Sequence, residues 1–224
     1  MRLKAAAGAF LSISIGAFGQ SPKPGMLAQI PDGVLNGNTY TNQDLAIVFR
    51  LPRDWTATVN PKLTTLFNPD ADALANRCTR ILLEFDSKPG DSTAKGVVFA
   101  IDPGCLGIGP FPAAETEKEK LEAFNRSIAE IYNRSTFFPP SGLNLYAFRG
   151  SGAKNRLFLG MEGAAVVSPP GGGPGGEAGV KGEPVSMHTL FVLVDVDKCW
   201  VGWAIVADDK AKNEFAKESR MTVQ

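Results

Sequence analysis

Almost everything that announces a chemistry is scarce in this chain. Among 224 residues there is a single histidine, His188, and only three cysteines. No His-Glu-x-x-His, Cys-x-x-Cys or Gly-x-Ser-x-Gly pattern occurs, and no phosphate loop ends in Gly-Lys-Ser/Thr. A zinc site or a hydrolase triad built on His188 would need partners that spacing does not name, so it reads as a structural or exposed histidine. Charge of either sign is not in excess either. Lys plus Arg and Asp plus Glu stand at 23 each, which excludes a nucleic acid or an anionic membrane held through bulk charge. Long apolar runs are missing too. The longest, Ala5 to Phe18, is too short to cross a hydrocarbon core of ~30 Å as a helix.

What is present fits an exported globular chain. Hydrophobic residues make up 44% and charged residues 21%, which excludes a disordered polymer. Arg2 and Lys4 precede the apolar run, and Ala17-Phe18-Gly19 places small residues before Gln20. Residues 1–19 therefore read as a signal peptide, and the expected location is periplasmic or extracellular. Cleavage removes Arg2 and Lys4 and leaves the charge balance nearly neutral. No cysteine follows the cleavage point, so no lipid anchor is indicated.

Export permits a disulfide among Cys78, Cys105 and Cys199. Three is odd, so at most one pair forms within the chain. Cys78 with Cys105 is the candidate, since each borders an expected strand. Cys199 opens a very apolar strand and suits a small buried hydrophobe.

Residues 20–38 are rich in Pro, Gly and Asn and read as a flexible tether leading into one domain at 39–224. Leu45 to Leu51 predicts a strand stopped by Pro52. Asn68-Pro69 opens a short helix towards Arg77. Thr79–Asp86 and Gly96–Asp102 predict an antiparallel pair. Thr116 and Glu119 have capping-box spacing ahead of a helix reaching Ser135. Leu143–Arg149 and Arg156–Val167 predict further strands. Between residues 168 and 184 stand seven Gly and four Pro, a loop inserted within the domain. Thr189–Val194 and Cys199–Ala207 predict a hairpin, after which Asp208 or Asp209 caps a helix with Ala211 and Phe215 inward.

On the second hairpin strand Cys199, Val201, Trp203 and Ile205 take one face, and Trp200, Gly202, Ala204 and Val206 the other. Both faces are apolar, so both must be covered. The expected fold class is α/β (α+β): an antiparallel sheet between helical layers, a three-layer α/β/α sandwich.

The turn Leu51-Pro52-Arg53-Asp54-Trp55 and the closing unit Cys199-Trp200-Val201-Gly202-Trp203-Ala204-Ile205-Val206-Ala207, followed by a terminal helix, resemble the PsbP-like fold. That fold is shared by photosystem extrinsic subunits, a Ran-binding import factor and many exported bacterial proteins. The resemblance covers roughly Tyr40 to Ser219. It implies a domain that binds or assembles something and usually is not a catalyst, and it carries no catalytic residue over to this chain.

The remaining motifs have plain readings. Gly171, Gly173 and Gly176 match Gly-x-Gly-x-x-Gly only because glycine is abundant there. Asp70/Asp72 suit a helix start and Asp195/Asp197 a hairpin turn, and neither supplies a calcium loop. Asn125-Arg126-Ser127 and Asn133-Arg134-Ser135 are glycosylation triplets in form but lie on an expected helix. No catalytic, cofactor or metal-ligating residue is therefore nominated. The leading expectation is a non-catalytic accessory or assembly factor contacting an envelope or secreted protein. The alternative is a small-molecule binding protein with a pocket between sheet and helices. An enzyme using converging carboxylates ranks third.

Overall fold

A computed structural model describes residues 25–59, 61, 76–87, 93–106, 116, 118–119, 122–123, 143–150, 156–167, 185–196 and 199–224. These are mostly β, arranged in two antiparallel sheets. The strands are β1 (Val34–Asn36), β2 (Thr39–Asn42), β3 (Ile47–Arg50), β4 (Thr56–Val59), β5 (Thr79–Asp86), β6 (Ala94–Ile101), β7 (Leu143–Arg149), β8 (Leu157–Val167), β9 (Val185–Asp195), β10 (Trp200–Asp208) and β11 (Arg220–Val223). The helix α1 (Asp209–Glu218) lies between β10 and β11. The large sheet runs β4-β5-β6-β10-β9-β8-β7, and the small one β1-β2-β3-β11.

Apolar runs form the middle of the large sheet, where β6, β9 and β10 are buried on both faces over most of their length. Thr79–Asp86 pairs antiparallel with β6 as expected, with an irregularity between Ile81 and Leu83. The β9–β10 hairpin also forms, registering Trp200 against Asp195 and Asp208 against Met187. Both faces of β10 are buried, since Val201 and Ile205 on one side and Trp200 and Ala204 on the other are at most 1% exposed. The inference that both faces need cover therefore stands, but the cover expected for them does not. One face packs on a continuous core that includes Tyr40, Ile47, Phe49, Met221 and Val223 of the small sheet together with Ala211 and Phe215 of α1. An apolar sheet face is satisfied as well by a second sheet as by helices. The three-layer α/β/α sandwich is thus corrected to a mostly β fold with two antiparallel sheets.

The helix begins where it was expected. Asp208 is its N-cap and accepts from the Ala211 N–H at 2.8 Å, which satisfies one of the donors that a first turn leaves open. It ends at Glu218, and the chain then returns as β11 against β3. That strand was not foreseen.

The segment read as a tether also differs from Gly25 onward. Met26–Gln29 form a 3-10 turn, Leu27 and Ile30 lie in the core, and β1 follows at Val34. Arg80 on β5 fastens this segment. Its guanidinium donates to the carbonyls of Leu27 (2.9 Å) and Ile30 and pairs with Asp32 at 2.6 Å. The bonds are long-range in sequence, and composition alone does not reveal them.

Trp55 closes the Leu51–Trp55 turn. It is buried, with its ring 5.5 Å from that of Phe215 and 6.0 Å from that of Phe85. Asn38 pins the same turn, donating from Nδ2 to the Leu51 carbonyl at 2.7 Å and accepting the Leu51 N–H at its own carbonyl. Cys78 and Cys105 form the disulfide, with Cα atoms 5.5 Å apart, and Cys199 is buried outside it. The expected capping box is present too. Thr116 N–H donates to Glu119 Oε2 at 3.1 Å, and Glu119 N–H to Thr116 Oγ1 at 3.2 Å. The signal peptide, the Asn68-Pro69 helix start, the glycosylation triplets and the loop at 168–184 lie outside the described residues.

Candidate functional site

Two places bring chemistry together, and both depend on residues far apart in sequence. The first is a polar corner on the core side of the large sheet. Strand β9 carries Ser186 and His188 on the side that continues as Leu190, Val192 and Val194, and β8 contributes Glu162. The first turns of α1 supply Asp209 and Lys212, three residues apart and so on one helix face. His188 Nε2 stands 2.7 Å from Asp209 Oδ1, and Nδ1 stands 3.3 Å from Lys212 Nζ and 3.6 Å from Glu162 Oε1. Lys212 also pairs directly with Glu162.

The partners divide between the ring nitrogens: Nε2 faces the Asp209 carboxylate, and Nδ1 faces the Lys212 ammonium with the Glu162 carboxylate next to it. Ser186 Oγ lies 3.5 Å from that same Nε2. A serine nucleophile needs the unprotonated nitrogen, with the carboxylate on the other one. Here hydroxyl and carboxylate share one nitrogen, and a cation occupies the opposite one. The corner therefore does not form a Ser-His-carboxylate relay. It holds His188, whose side chain is 13% exposed, with a partner on each ring nitrogen. Among the described residues, no group of three or more His, Cys, Asp or Glu side chains is arranged to hold a metal ion.

Tyr146 borders this corner from β7. Burial, and secondly the nearby Glu162 charge, push its phenol up to about 12 from 10.0. Its ring lies over Gly160, its cross-strand neighbour on β8, where a Cβ would come within 2.4 Å of the ring. Tyr40 is also raised, chiefly by burial, and hydrogen bonds from Asn42 and Gly33 and the charge of Arg80 oppose the shift.

The second place is a cavity of about 360 Å³ at the opposite end of β9 and β10. Met26, Gln29 and Ile30 come from the 3-10 turn, Asp44 and Leu45 from the β2–β3 connection, and Val196 and Cys199 from the β9–β10 turn. Ile30, Leu45, Val196 and Cys199 are buried, whereas Gln29 and Asp44 are exposed. Buried apolar side chains therefore stand beneath an open rim that carries Gln29 and Asp44.

The residues singled out in the sequence fall unevenly across these places. His188 is in the corner, and the partners that spacing could not name are Glu162, Asp209, Lys212 and Ser186. Cys199 is on the cavity floor, and Asp195 ends β9 beside the turn. Asp70, Asp72, Gly171, Gly173, Gly176 and Asp197 lie outside the described residues. Sequence reading missed Asp44, Met26 and the rest of the cavity lining. The one available signal was a histidine continuing an apolar alternation, which marks a side chain that needs buried polar partners. No helix among the described residues is long and apolar enough to cross a membrane. The chain matches no protein-family model and no curated protein.

Proposed function

We propose that the chain is an exported, non-catalytic binding domain and that it takes a small molecule bearing both polar and apolar groups in the cavity lined by the 3-10 turn, the β2–β3 connection and the ends of β9 and β10. One observation carries this reading: a space of about 360 Å³ with a buried floor of Ile30, Leu45, Val196 and Cys199 and a polar rim. Its size falls in the range of about 300–1,000 Å³ common to ligand pockets. The signal-peptide pattern at residues 1–19 and the resemblance to PsbP-like binding and assembly domains support the same reading. So does the polar corner, whose geometry does not activate Ser186.

A protein-contacting accessory role has less to stand on. Among the described residues, the large exposed apolar side chains are Val34 on β1, Phe148 near one end of β8, and Val166 and Val185 at the other, and these do not make one patch. Scattered single residues of this kind are normal on a soluble surface.

Thermal unfolding of the purified protein with pools of small apolar and amphiphilic compounds tests the proposal. A ligand at one hundred times its Kd adds about 2.7 kcal/mol to stability and raises Tm by several degrees. If no pool raises Tm, the binding reading is lost.

A further inference from the structure

Resting on that reading of the cavity, we infer that residues 25–30 are a hinged strap that gates it, latched to the large sheet by Arg80. The strap supplies Met26, Gln29 and Ile30, three of the seven described residues that line the space. Its fastening differs from that of the strands that follow it. Strands β1, β2 and β3 are tied to one another by backbone ladders. Among the described residues, the backbone bonds of the strap stay within it, from Ala28 N–H to Gly25 at 2.9 Å and from Ile30 N–H to Leu27 at 3.3 Å. Side chains hold it to the rest of the molecule. Asn42 Nδ2 donates to the Pro31 carbonyl at 3.0 Å, and the Tyr40 ring packs on Gly33 so closely that a Cβ would not fit. These contacts tie residues 31–33 to β2 and make them the hinge. Arg80 donates to the carbonyls of Leu27 (2.9 Å) and Ile30 and pairs with Asp32 at 2.6 Å. One side chain is the latch.

The place of Arg80 suits release. It is in register with Ala100 of β6, which pairs in turn with Val201 of β10, and both of these are buried in the core. The guanidinium is matched by the strap when the strap is shut, and by water when it swings out, because its side chain is already 25% exposed. Opening therefore leaves no buried charge without a partner. It does uncover Leu27 and Ile30, which are 5% and 8% exposed when shut, so the closed form predominates. Each latch bond is exchanged for one with water and holds only modestly. A wall fastened in this way opens before the domain unfolds.

Two rates on the purified protein test the gate. Iodoacetamide alkylation of Cys199 under non-reducing conditions reads entry to the cavity, because Cys199 lines it and is buried, while Cys78 and Cys105 are joined. Amide hydrogen exchange of the peptide spanning residues 25–33, followed by mass spectrometry, reads the strap itself. In the unaltered protein both rates should depend only weakly on urea well below the unfolding transition, as local opening does. Arg80→Gln should raise both about tenfold. Asp32→Asn, at a side chain 48% exposed, should raise both about threefold, and so should 0.5 M salt on the unaltered protein. These two arms carry the test if the Arg80 variant folds poorly. Rates that climb with the full urea slope of global unfolding would mean that the strap opens only with the domain, and the gate falls. It falls as well if the strap exchanges faster while Cys199 alkylates at its former rate, or if neither rate changes. The ligand pools test the cavity separately, and they can fail while the gate holds or succeed while it fails.

Discussion

Helix α1 sits on the large sheet with two different neighbourhoods along its flank, and the contrast shows what each kind of contact does. Towards β3, β5, β10 and the turn before β4 it presents Phe215, whose ring is 5.0 Å from Trp203, 5.5 Å from Trp55, 5.7 Å from Phe85 and 6.2 Å from Phe49. Towards β8 and β9 it presents Asp209 and Lys212, which meet His188 and Glu162. The aromatic side is non-directional and removes a large apolar area from water. The polar side gains little net energy, because each bond replaces one with water. It fixes the helix in rotation and register, since its bonds form at one geometry only. Both sides seat a ring on a cross-strand glycine, Phe85 on Gly96 and Tyr146 on Gly160.

If that division is right, the two sides respond to damage by different amounts. Phe215→Ala should cost about 3–5 kcal/mol, measured by urea unfolding, because it empties the meeting point of four rings. A cost near 1 kcal/mol would mean that the aromatic side is not the main anchor of α1. Reducing the Cys78–Cys105 bridge, which spans 27 residues in sequence at the ends of β5 and β6, should remove about 3–4 kcal/mol. Equal denaturation midpoints with and without reductant would refute this.

The two glycines separate the sides more finely. At Gly96 a Cβ would meet the Phe85 ring at 2.3 Å and the Ala204 carbonyl at 2.8 Å, and that carbonyl belongs to fixed backbone. At Gly160 the three nearest atoms are all outer atoms of Tyr146, the nearest at 2.4 Å, and a side chain can swing away. Gly96→Ala should therefore cost roughly 2–3 kcal/mol and Gly160→Ala about 1 kcal/mol or less. The reverse order in paired unfolding curves would break the argument. On the polar side, a double-mutant cycle over Glu162→Gln and Lys212→Met should return a coupling of about 1 kcal/mol, since both side chains remain about a quarter exposed.

A separate effect, confined to alkaline pH, concerns Tyr146. Folding raises Tyr146 from 10.0 to about 12, so the native state keeps a proton that the unfolded chain loses first. The stability this group contributes is complete below pH 10 and is lost as pH rises towards 12. Tyr146→Phe should flatten the fall of stability over that interval without abolishing it, because Tyr40 is raised as well. Glu162→Gln should lower the Tyr146 pKa only part of the way to 10.0, burial being the larger cause, as read by phenolate absorbance. A full return to 10.0 would reverse that ranking.

Sequence made the aromatic side more legible than the polar one. Alternation located β5, runs apolar on both faces located β6 and β10, and the Asp208 cap with Ala211 and Phe215 placed α1 after them, because those signals lie within a few adjacent residues. The partners of His188 come from β8 and α1, whose juxtaposition is set by sheet order, and no local pattern encodes that. The cavity is less legible still. Its walls come from residues 26–30, 44–45 and 196–199, the first of them within a stretch whose proline and glycine content suggested a tether. The small sheet escaped for a related reason. Arg220 to Val223 is too short for alternation to register, and β1 and β2 are three and four residues long. Without that sheet, two apolar faces on β10 pointed to helices on both sides.

The pairing of β3 with β11 also sets a timetable. Phe49 finds Met221, and Ile47 finds Val223, across some 170 residues of intervening chain, and β6 likewise waits about a hundred residues for β10. At about 5–20 residues per second of synthesis, β3 stays without its second neighbour for roughly ten to thirty seconds after it is made. Contacts this distant in sequence also close slowly once both partners exist. Through that interval the early strands remain threadable polypeptide, the state a translocation channel accepts, and the export proposed for this chain fits the delay. The same delay leaves apolar strand faces uncovered while the chain is being made.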